Sequence, residues 1–445
     1  MAAAAEDDDL APAFIAAGEA EEVVVDETAP VDDEGDDADM EDAEAAEAAP
    51  AAAAAPEDLE PGETLQPFAT VAHHRGPVYS LASLSPPSCP STLLLSSGSG
   101  DDTAAFTVLS LPKGDDAPPP PTTQPLPGHS ESVASAGYSA DGSLLATADY
   151  AGTVSLWSVN AAASPPECKL DRTLPPGPSD AEWLSWHPLG NVFAVGSTDG
   201  TVWMFLAKTG AVMQVFAGHD PAGAGGGGGA TCGAFSLDGR HLLTGGGEGS
   251  FRVWNPKTGT PRAVVRDGQG GGAFVKGEVT CLHQQRGAGA DNVAVGGSDG
   301  TVGIVNLGTR KPVAALPHSG PGAGQLERAS VEAVRWSPVG VAQGALLASA
   351  GVDGVVKVWE NGICRAALKH ASGVTCVEWL VAGAADRQIA TGAADGRVRV
   401  WDTRAAQGSL VRKLDGHTDM VLCLSVRGNV VAAGGDDGLI NVWVL

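Results

Sequence analysis

Residues 389–402, with the sequence IATGAADGRVRVWD, decide the fold class of this 445-residue chain. Two runs of alternating apolar residues flank the pair Asp395-Gly396, and the second run ends at Trp401. An Asp-Gly pair between alternating apolar residues is the strongest short-range signal for a β-hairpin. One hairpin alone would indicate little about the fold, but this pattern recurs along the chain.

Eight copies of the pattern can be aligned on the two-residue turn. In each copy the second apolar run ends six positions after the first turn residue, as Trp401 does after Asp395. The aligned ends are Thr107, Trp157, Phe205, Trp254, Val305, Trp359, Trp401 and Trp443. Neighbouring ends are separated by 42 to 54 residues. Repeats of this length, with four strands each, are typical of propeller blades. The pattern therefore predicts an all-β fold, a closed eight-bladed β-propeller over residues 65–445.

Gly-His pairs stand ahead of the first strand in several repeats, as in Gly128-His129, Gly218-His219 and Gly416-His417. Together with the Trp-Asp ending, these pairs resemble the WD-repeat family over about residues 66–445. The last repeat has only Val444 and Leu445 after its Trp, so it lacks an outer strand of its own. We predict that residues 67–72 supply this strand and close the ring, because closure removes open sheet edges.

The net charge of −28 is concentrated at the N-terminus. Residues 1–64 contain 23 Asp and Glu and no Lys or Arg, which leaves about −5 for the remainder. This segment has too few large apolar residues to form a core, so we predict a disordered acidic tail over 1–64. Within it, EEVVVDE (residues 21–27) is either a strand that could add to a partner or a chance apolar patch.

Composition and motifs exclude several classes of function. Binding of nucleic acid through phosphates needs clustered Lys and Arg, so no direct nucleic-acid partner is expected. The seven cysteines contain no C-x-x-C pair, and no secretory signal or apolar run of membrane-spanning length is present. We therefore expect a soluble intracellular monomer without membrane insertion, in the cytoplasm, with the nucleus as an alternative. Signatures of hydrolases, metalloproteases and nucleotide-binding loops are absent, so the sequence predicts neither enzyme activity nor a cofactor.

Histidine and acidic side chains recur together in the repeats. In a WD repeat the Gly-His histidine faces the acid of the turn within one blade, and the resemblance implies three such pairs. The pairs are His219 with Glu248, His370 with Asp395, and His417 with Asp437. His129 would face Ala151, so the second blade is expected to lack a pair. Because the pattern repeats, these residues are interpreted as structural hydrogen-bond networks rather than as an active site. Loop 318–327, HSGPGAGQLE, is interpreted as an irregular connection.

A second group of acids stands at or just before the first strand of several repeats. These are Glu131, Asp180, Glu182, Glu278, Glu332 and Asp419, with Asp436 and Asp102 at turns. We expect them on one face around the central channel, where they either follow a general WD-repeat preference or attract a basic partner. Trp183 could add an apolar anchor to this face or be a buried strand residue.

A narrower resemblance rests on DAEWLSWHP (residues 180–188), the acidic valine-containing tail and the count of eight repeats. Together they resemble the angio-associated migratory cell protein family. In that family the yeast relative is a chaperone of a basic large-subunit ribosomal protein, and animal members are linked to cell migration and signalling. The resemblance implies a non-enzymatic binding protein. One hypothesis is a chaperone or assembly factor that captures a basic ribosomal protein at an acidic face; the alternative is a cytoplasmic signalling scaffold.

Overall fold

The computed structural model describes residues 62–445, except residue 88, residue 176 and seven short ranges. The ranges are 113–117, 222–227, 269–272, 288–290, 319–328, 339–344 and 381–386. The predicted acidic tail therefore lies outside the described residues up to position 61, and so does EEVVVDE. All described residues belong to one compact unit of the chain.

The described residues form 33 β-strands and no helix. The first two are β1 (Glu63–Leu65) and β2 (Ala69–Val71). Blade I contains β3 (Val78–Leu84), β4 (Thr92–Ser99), β5 (Ala104–Ser110) and β6 (Thr122–Leu126). Blade II contains β7 (Val133–Tyr138), β8 (Leu144–Asp149), β9 (Val154–Asn160) and β10 (Glu167–Thr173). Blade III contains β11 (Ala181–Trp186), β12 (Val192–Ser197), β13 (Thr201–Leu206) and β14 (Ala211–Ala217).

The remaining five blades follow in chain order. Blade IV contains β15 (Ala230–Phe235), β16 (Leu242–Gly246), β17 (Phe251–Trp254) and β18 (Pro261–Val265). Blade V contains β19 (Val279–Gln284), β20 (Asn292–Gly297), β21 (Thr301–Asn306) and β22 (Lys311–Pro317). Blade VI contains β23 (Val331–Trp336), β24 (Leu346–Gly351), β25 (Val355–Glu360) and β26 (Ile363–Lys369). Blade VII contains β27 (Val374–Trp379), β28 (Gln388–Ala393), β29 (Val398–Asp402) and β30 (Ser409–Leu414). Blade VIII contains β31 (Val421–Arg427), β32 (Val430–Gly435) and β33 (Ile440–Val444).

Each blade is an antiparallel meander whose first strand faces the central channel. The inner strands of neighbouring blades contact one another around the ring, and β3 of blade I contacts β31 of blade VIII. The predicted closed eight-bladed propeller is therefore confirmed. Its core lies between the blades, where Trp157, Trp254, Trp401 and Trp443 are fully buried.

The N-terminal segment completes the ring at blade VIII. Strand β2 pairs antiparallel with β33, with Ala69 opposite Val442 and Val71 opposite Ile440. Val71 is buried in the apolar cluster that blades VIII and I share. The outer strand that the last repeat lacks is thus supplied from the other end of the described chain.

Strand β1 was not anticipated. It pairs in parallel with β30 and makes blade VII five-stranded, with Glu63 opposite Arg412 and Leu65 opposite Leu414. Glu63 also lies 3.6 Å from the Arg412 guanidinium. Strand β1 therefore overlaps the segment that composition assigned to the tail, because a three-residue strand is too short to alter the acidic average of 1–64.

Two of the three expected His–acid contacts are present. The Nδ1 atom of His219 lies 2.7 Å from Glu248, and that of His417 lies 3.0 Å from Asp437. The expected pair in blade VII is wrong in detail, because Asp395 accepts two bonds from the buried Arg399 guanidinium at 2.6 and 3.1 Å.

His370 instead lies within hydrogen-bonding distance of Thr391 and of the Trp401 indole. Burial and the Arg399 charge lower the pKa of His370 to about 4. The neutral imidazole therefore has no need of a carboxylate partner, which leaves Asp395 to neutralise Arg399.

Three further networks escaped the sequence comparison. His129 contacts Asp149 at 3.1 Å and Thr147 at 2.8 Å, so blade II has a network whose acid stands two residues before Ala151. His318 contacts Ser349 at 2.8 Å in blade VI, and His74 contacts Ser97 at 2.7 Å in blade I. Blade II has Ala151 in place of an acid at its turn, and no Gly precedes His74 or His318, so the repeated motif is incomplete in these three blades.

Substitution Asp149→Ala should destabilise the protein by about 1–3 kcal/mol, since it leaves buried donors without an acceptor. The carboxylate is fully buried and accepts bonds from the backbone N–H groups of Ser130 and Thr153 as well as contacting His129. Asp436→Ala, at an exposed turn, is the matched control and should change the free energy of unfolding by less than about 0.5 kcal/mol. Chemical denaturation measures both, and equal losses would contradict a network in blade II.

Candidate functional site

Every inner strand begins with the same irregularity. The pairing register between the first and second strands shifts directly after the first inner-strand residue in all eight blades. A bulge of this kind leaves one residue outside the hydrogen-bond ladder and re-aims its side chain. The bulge residues are Tyr79, Ala134, Glu182, Thr231, Thr280, Glu332, Thr375 and Leu422.

A repeated hydrogen bond fixes these bulges against the neighbouring turns. In each blade the N–H after the second strand donates to the carbonyl of the residue just before the inner strand. The donor–acceptor pairs are Gly100–Pro77, Tyr150–Ser132, Thr198–Asp180, Gly247–Gly229, Ser298–Glu278, Val352–Ser330, Ala394–Gly373 and Asp436–Met420. The start of each inner strand, its bulge and its turn therefore share one end of the propeller.

Seven of the eight predicted acids lie at or directly beside these equivalent positions. Glu182 and Glu332 are bulge residues, whereas Asp180 and Glu278 directly precede inner strands. Glu131 and Asp419 come one residue earlier, and Asp436 is a turn donor. We call this set the acidic rim: Glu131, Asp180, Glu182, Glu278, Glu332, Asp419 and Asp436. Its members are exposed or half-buried.

Four carboxyl groups of the acidic rim influence one another. Burial raises the pKa of Glu182 to about 7, and the negative charges of Glu278 and Asp180 add to the effect. Burial also raises the pKa of Glu278, with a further contribution from Glu332. Like charges that influence one another disfavour the ionised state, and a cation beside them would favour it. This part of the acidic rim, on blades III, V and VI, is therefore suited to a positively charged group.

Trp183 does not belong to the exposed surface. Its side chain is 9% exposed, and its indole N–H donates to the Ala230 carbonyl at 2.6 Å. Its ring packs where a Cβ on Gly196 or Gly233 would stand, about 2.1 Å from ring atoms. The proposed anchor role is corrected: Trp183 is a buried side chain that joins blades III and IV.

Two tyrosines, rather than Trp183, are the exposed aromatic residues at this end of the propeller. Tyr79, a bulge residue, is 41% exposed, and Tyr150, a turn donor, is 38% exposed. Burial raises the pKa of Tyr150, and the charge of Glu182 and the ionisable phenol of Tyr79 contribute to the shift. Tyr150 thus lies near Glu182, and Tyr79 lies near Tyr150. Aromatic faces beside carboxylates favour Arg and Lys side chains. Aligning the bulge positions across repeats would have revealed Tyr79.

Other features of this end limit the chemistry available. Arg75 and Lys276 are exposed beside it, so the acidic rim is not uniformly negative. Asp102 is exposed in a left-handed turn, with a φ of 64°, next to Asp101 of the His74 network. In the described part of the chain, no three His, Cys, Asp or Glu side chains converge as metal ligands would. Within the same residues, no helix has the length and apolar character needed to span a membrane.

Ionisation of Glu182 should make stability depend on pH. Its pKa is higher in the folded protein than in the unfolded chain, so the charged form is penalised by folding. Stability should fall as the pH rises from about 4.5 to about 7, by about 1–2 kcal/mol after solvent screening. Glu182→Gln should remove this fall and melt higher at pH 8. Thermal melts at pH 5 and pH 8 test the prediction, which fails if both proteins show the same pH dependence.

Comparison with known families assigns the fold to a class. The WD domain, G-beta repeat family matches residues 120–158, 172–205, 210–255, 324–360, 362–402 and 408–444, which is more than half of the chain. The chain belongs to this WD40 family. The matches omit β3 to β5 of the first blade and the whole of the fifth blade.

Among curated proteins, the chain is similar to the angio-associated migratory cell protein of Homo sapiens and of Canis lupus familiaris. Each is 27% identical over 263 residues, which cover 57% of this chain. The aligned part spans about half the length of these relatives, 54%. The resemblance that DAEWLSWHP indicated is thereby confirmed.

Solved structures of Sqt1 share the propeller. Sqt1 from Chaetomium thermophilum superimposes with a TM-score of 0.70 at 21% identity, over 85% of this chain and 98% of that one. Saccharomyces cerevisiae Sqt1 gives 0.69 at 19% identity, over 86% and 99%. Another structure shows Chaetomium thermophilum Sqt1 bound to the N-terminus of the ribosomal protein L10, with a TM-score of 0.69, 21% identity and coverage of 85% and 99%.

Proposed function

We propose that this WD-repeat protein is a non-enzymatic chaperone or assembly factor that captures a basic segment of a ribosomal protein at the acidic rim. The observation that carries the proposal is the placement of the seven acids of the acidic rim at one end of the propeller, where Glu182 and Glu278 also respond to the charges of neighbouring acids. The exposed Tyr79 and Tyr150 rings add apolar contact area and cation–π interactions beside it. The Sqt1 complex with the N-terminus of L10 supports the choice of a ribosomal client.

Binding to the acidic rim would combine long-range attraction with local contacts. Glu131, Asp419 and Asp436 are exposed on blades II and VIII, away from the coupled group on blades III, V and VI. Exposed charges of this kind act mainly on the association rate and its salt dependence. At a Debye length of about 8 Å in physiological salt, each single charge contributes modestly. Several acids must therefore be changed together to test the surface.

The experiment uses a four-site variant with Glu131→Lys, Asp180→Asn, Glu278→Lys and Asp419→Lys. Asn replaces Asp180 because its φ of 51° is left-handed, a conformation that Asn tolerates. Isothermal titration with a synthetic N-terminal peptide of ribosomal protein L10, at two salt concentrations, measures the affinity. We expect wild type to bind more weakly at high salt, and the variant to bind at least about tenfold more weakly at low salt.

The matched control changes the same total charge elsewhere, with Glu63→Lys, Glu167→Lys, Asp171→Lys and Asp291→Asn. It should bind nearly as well as wild type, since these residues lie outside the acidic rim. A shuffled peptide of equal charge shows whether sequence matters beyond charge. The proposal is refuted if the affinity of wild type does not change with salt and the four-site variant binds as tightly as wild type. Equal losses of affinity in the four-site variant and the control would also refute it.

A further inference from the structure

The end of the propeller opposite the acidic rim carries positive charge on blades IV and V. Turns there join the first to the second strand and the third to the fourth strand. Six cations lie in or directly beside these turns: Arg240, Lys257, Arg262, Arg286, Arg310 and Lys311. We call this surface the cationic end. The acids in the same turns are Asp238 and Asp291.

The charges of the cationic end are largely uncompensated. Among the described residues, only Arg240 of the six has a carboxylate within 4 Å, and that contact with Asp238 is long, at 3.7 Å. Asp238 itself is engaged by the Ser236 hydroxyl and by the backbone N–H of Arg240. On the other blades most exposed arginines pair, as Arg365 does with Glu360 and Arg404 with Asp402. In a domain of net negative charge, six neighbouring cations with so few partners indicate a surface that neutralises something else.

The cationic end is contiguous and indented. A cavity of about 340 Å³ opens between blades IV and V, and Arg240, His241, Gln284 and Asp291 line it. Burial lowers the pKa of His241, and the neighbouring Arg262 and Arg310 charges lower it further. Arg240 therefore lines the cleft, and the charges of Arg262 and Arg310 reach the His241 side chain in its wall.

One of the arginines occupies an unfavourable backbone conformation. Arg310 has a φ of 59° and donates its N–H to the carbonyl four residues earlier. Gly210 and Gly259 hold the equivalent positions in blades III and IV, with the same bond and φ values of 72° and 70°. A side chain there costs on the order of 1 kcal/mol relative to glycine. Blade V therefore has a charged side chain at a position where blades III and IV have glycine.

Apolar side chains accompany the cations. Leu237 is 40% exposed at the mouth of the cavity, and Leu189 in the adjoining turn of blade III is 75% exposed. These two turns are joined by the contact between His187 and the Gly239 carbonyl at 3.0 Å. No Phe, Tyr or Trp lines the cavity on which a base could stack. Exposed leucine beside arginine fits a protein segment better than a phosphate backbone.

We propose that the cationic end binds an acidic protein segment that carries apolar side chains. Carboxylates of the segment would pair with Arg262, Arg286 and Arg310, and its apolar residues would cover Leu237. The proposal is independent of the proposed function, because the two surfaces lie at opposite ends of the strands. If both hold, the propeller links a basic client at one end to an acidic partner at the other.

The test uses the full chain and fluorescein-labelled peptides followed by anisotropy. The probe is (Glu-Asp-Leu)₄, compared with (Glu-Asp-Gly)₄ of equal charge and with a 12-nucleotide oligouridine RNA. The variant combines Arg262→Glu, Arg286→Glu and Arg310→Gly. Arg310→Gly removes charge while relieving the backbone, so it should not unfold the protein. The matched control, Lys169→Glu, Arg365→Ala and Lys369→Glu, makes the same change in charge at exposed residues of blades II and VI.

The proposal is supported if wild type binds the leucine peptide more tightly than either other probe. The affinity for this peptide should fall at least tenfold in the variant and stay unchanged in the control. Equal binding to both variants would overturn the proposal. Tighter binding of the RNA would assign the surface to nucleic acid instead. Binding seen only after removal of residues 1–61 would assign it to the chain's own acidic segment and overturn an external partner. Failure of the L10 peptide experiment would leave these outcomes unchanged.

Discussion

Deletion of residues 1–72 is expected to abolish cooperative unfolding and to cause aggregation. It removes β2, which exposes the edge of β33 and uncovers the cluster in which Val71 packs with Val78 and Val442. Loss of a strand from a closed propeller also reopens a sheet edge that can pair with another chain. Thermal melting and size-exclusion chromatography of the purified proteins measure the effect.

Two shorter deletions serve as controls for this prediction. Deletion of residues 1–61 should leave the melting temperature within about 2 °C, because it stops before β1. Deletion of residues 1–66 removes β1 alone, a three-residue strand on the outside of blade VII, and should cost no more than a few degrees. Similar melting curves for all three deletions would show that the N-terminal strand does not close the ring.

Replacement of Trp183 by Ala is expected to destabilise the protein by about 3–5 kcal/mol, the range typical of large-to-small changes in cores. The indole fills the space between blades III and IV, and its N–H bond to the Ala230 carbonyl would be lost. Trp183→Phe keeps most of the apolar contact and should cost less, about 1–2 kcal/mol. Urea denaturation gives the free energies of unfolding.

Binding measurements separate this structural role from the anchor role that the sequence left open. If Trp183 were an anchor, the Phe variant would remain stable and lose affinity for the L10 peptide. With the geometry described, Trp183→Phe should bind as wild type does, whereas Tyr79→Ala and Tyr150→Ala should weaken binding without a comparable loss of stability. If Trp183→Phe lost affinity and the two tyrosine variants did not, Trp183 would be part of the binding surface.

The architecture was predictable because its signals are local and repeated. An Asp-Gly turn between alternating strands occurs with small variations in every blade. A blade with an incomplete motif, such as blade V, is therefore recognised from its regular spacing relative to the other repeats. Ring closure followed from the missing strand after Trp443. The parallel pairing of β1 could not be foreseen, because Glu63–Leu65 is short and its partner β30 is about 350 residues away.

The candidate site was predictable in position but not in detail. Acids next to the inner strands could be found by counting from each turn, since topology alone sets their end of the propeller. Counting from the turns does not show which of these side chains are buried. Trp183 and Glu182 are neighbours in sequence, and the bulge directs only one of them away from the core. Whether Asp395 would face His370 or Arg399 likewise depended on which buried group carried a charge.

The bulges at the start of the inner strands have an evolutionary consequence. A residue outside the ladder can change without disturbing strand pairing, so its identity is open to selection for a partner. Thr231, Thr280 and Thr375 are constrained, because their hydroxyls donate to carbonyls of the next inner strand. Tyr79, Glu182, Glu332 and Leu422 make no such bond and are at least partly exposed, whereas Ala134 is buried. New specificities should therefore arise, in paralogues or in the laboratory, by exchange at these four positions while the scaffold is inherited intact.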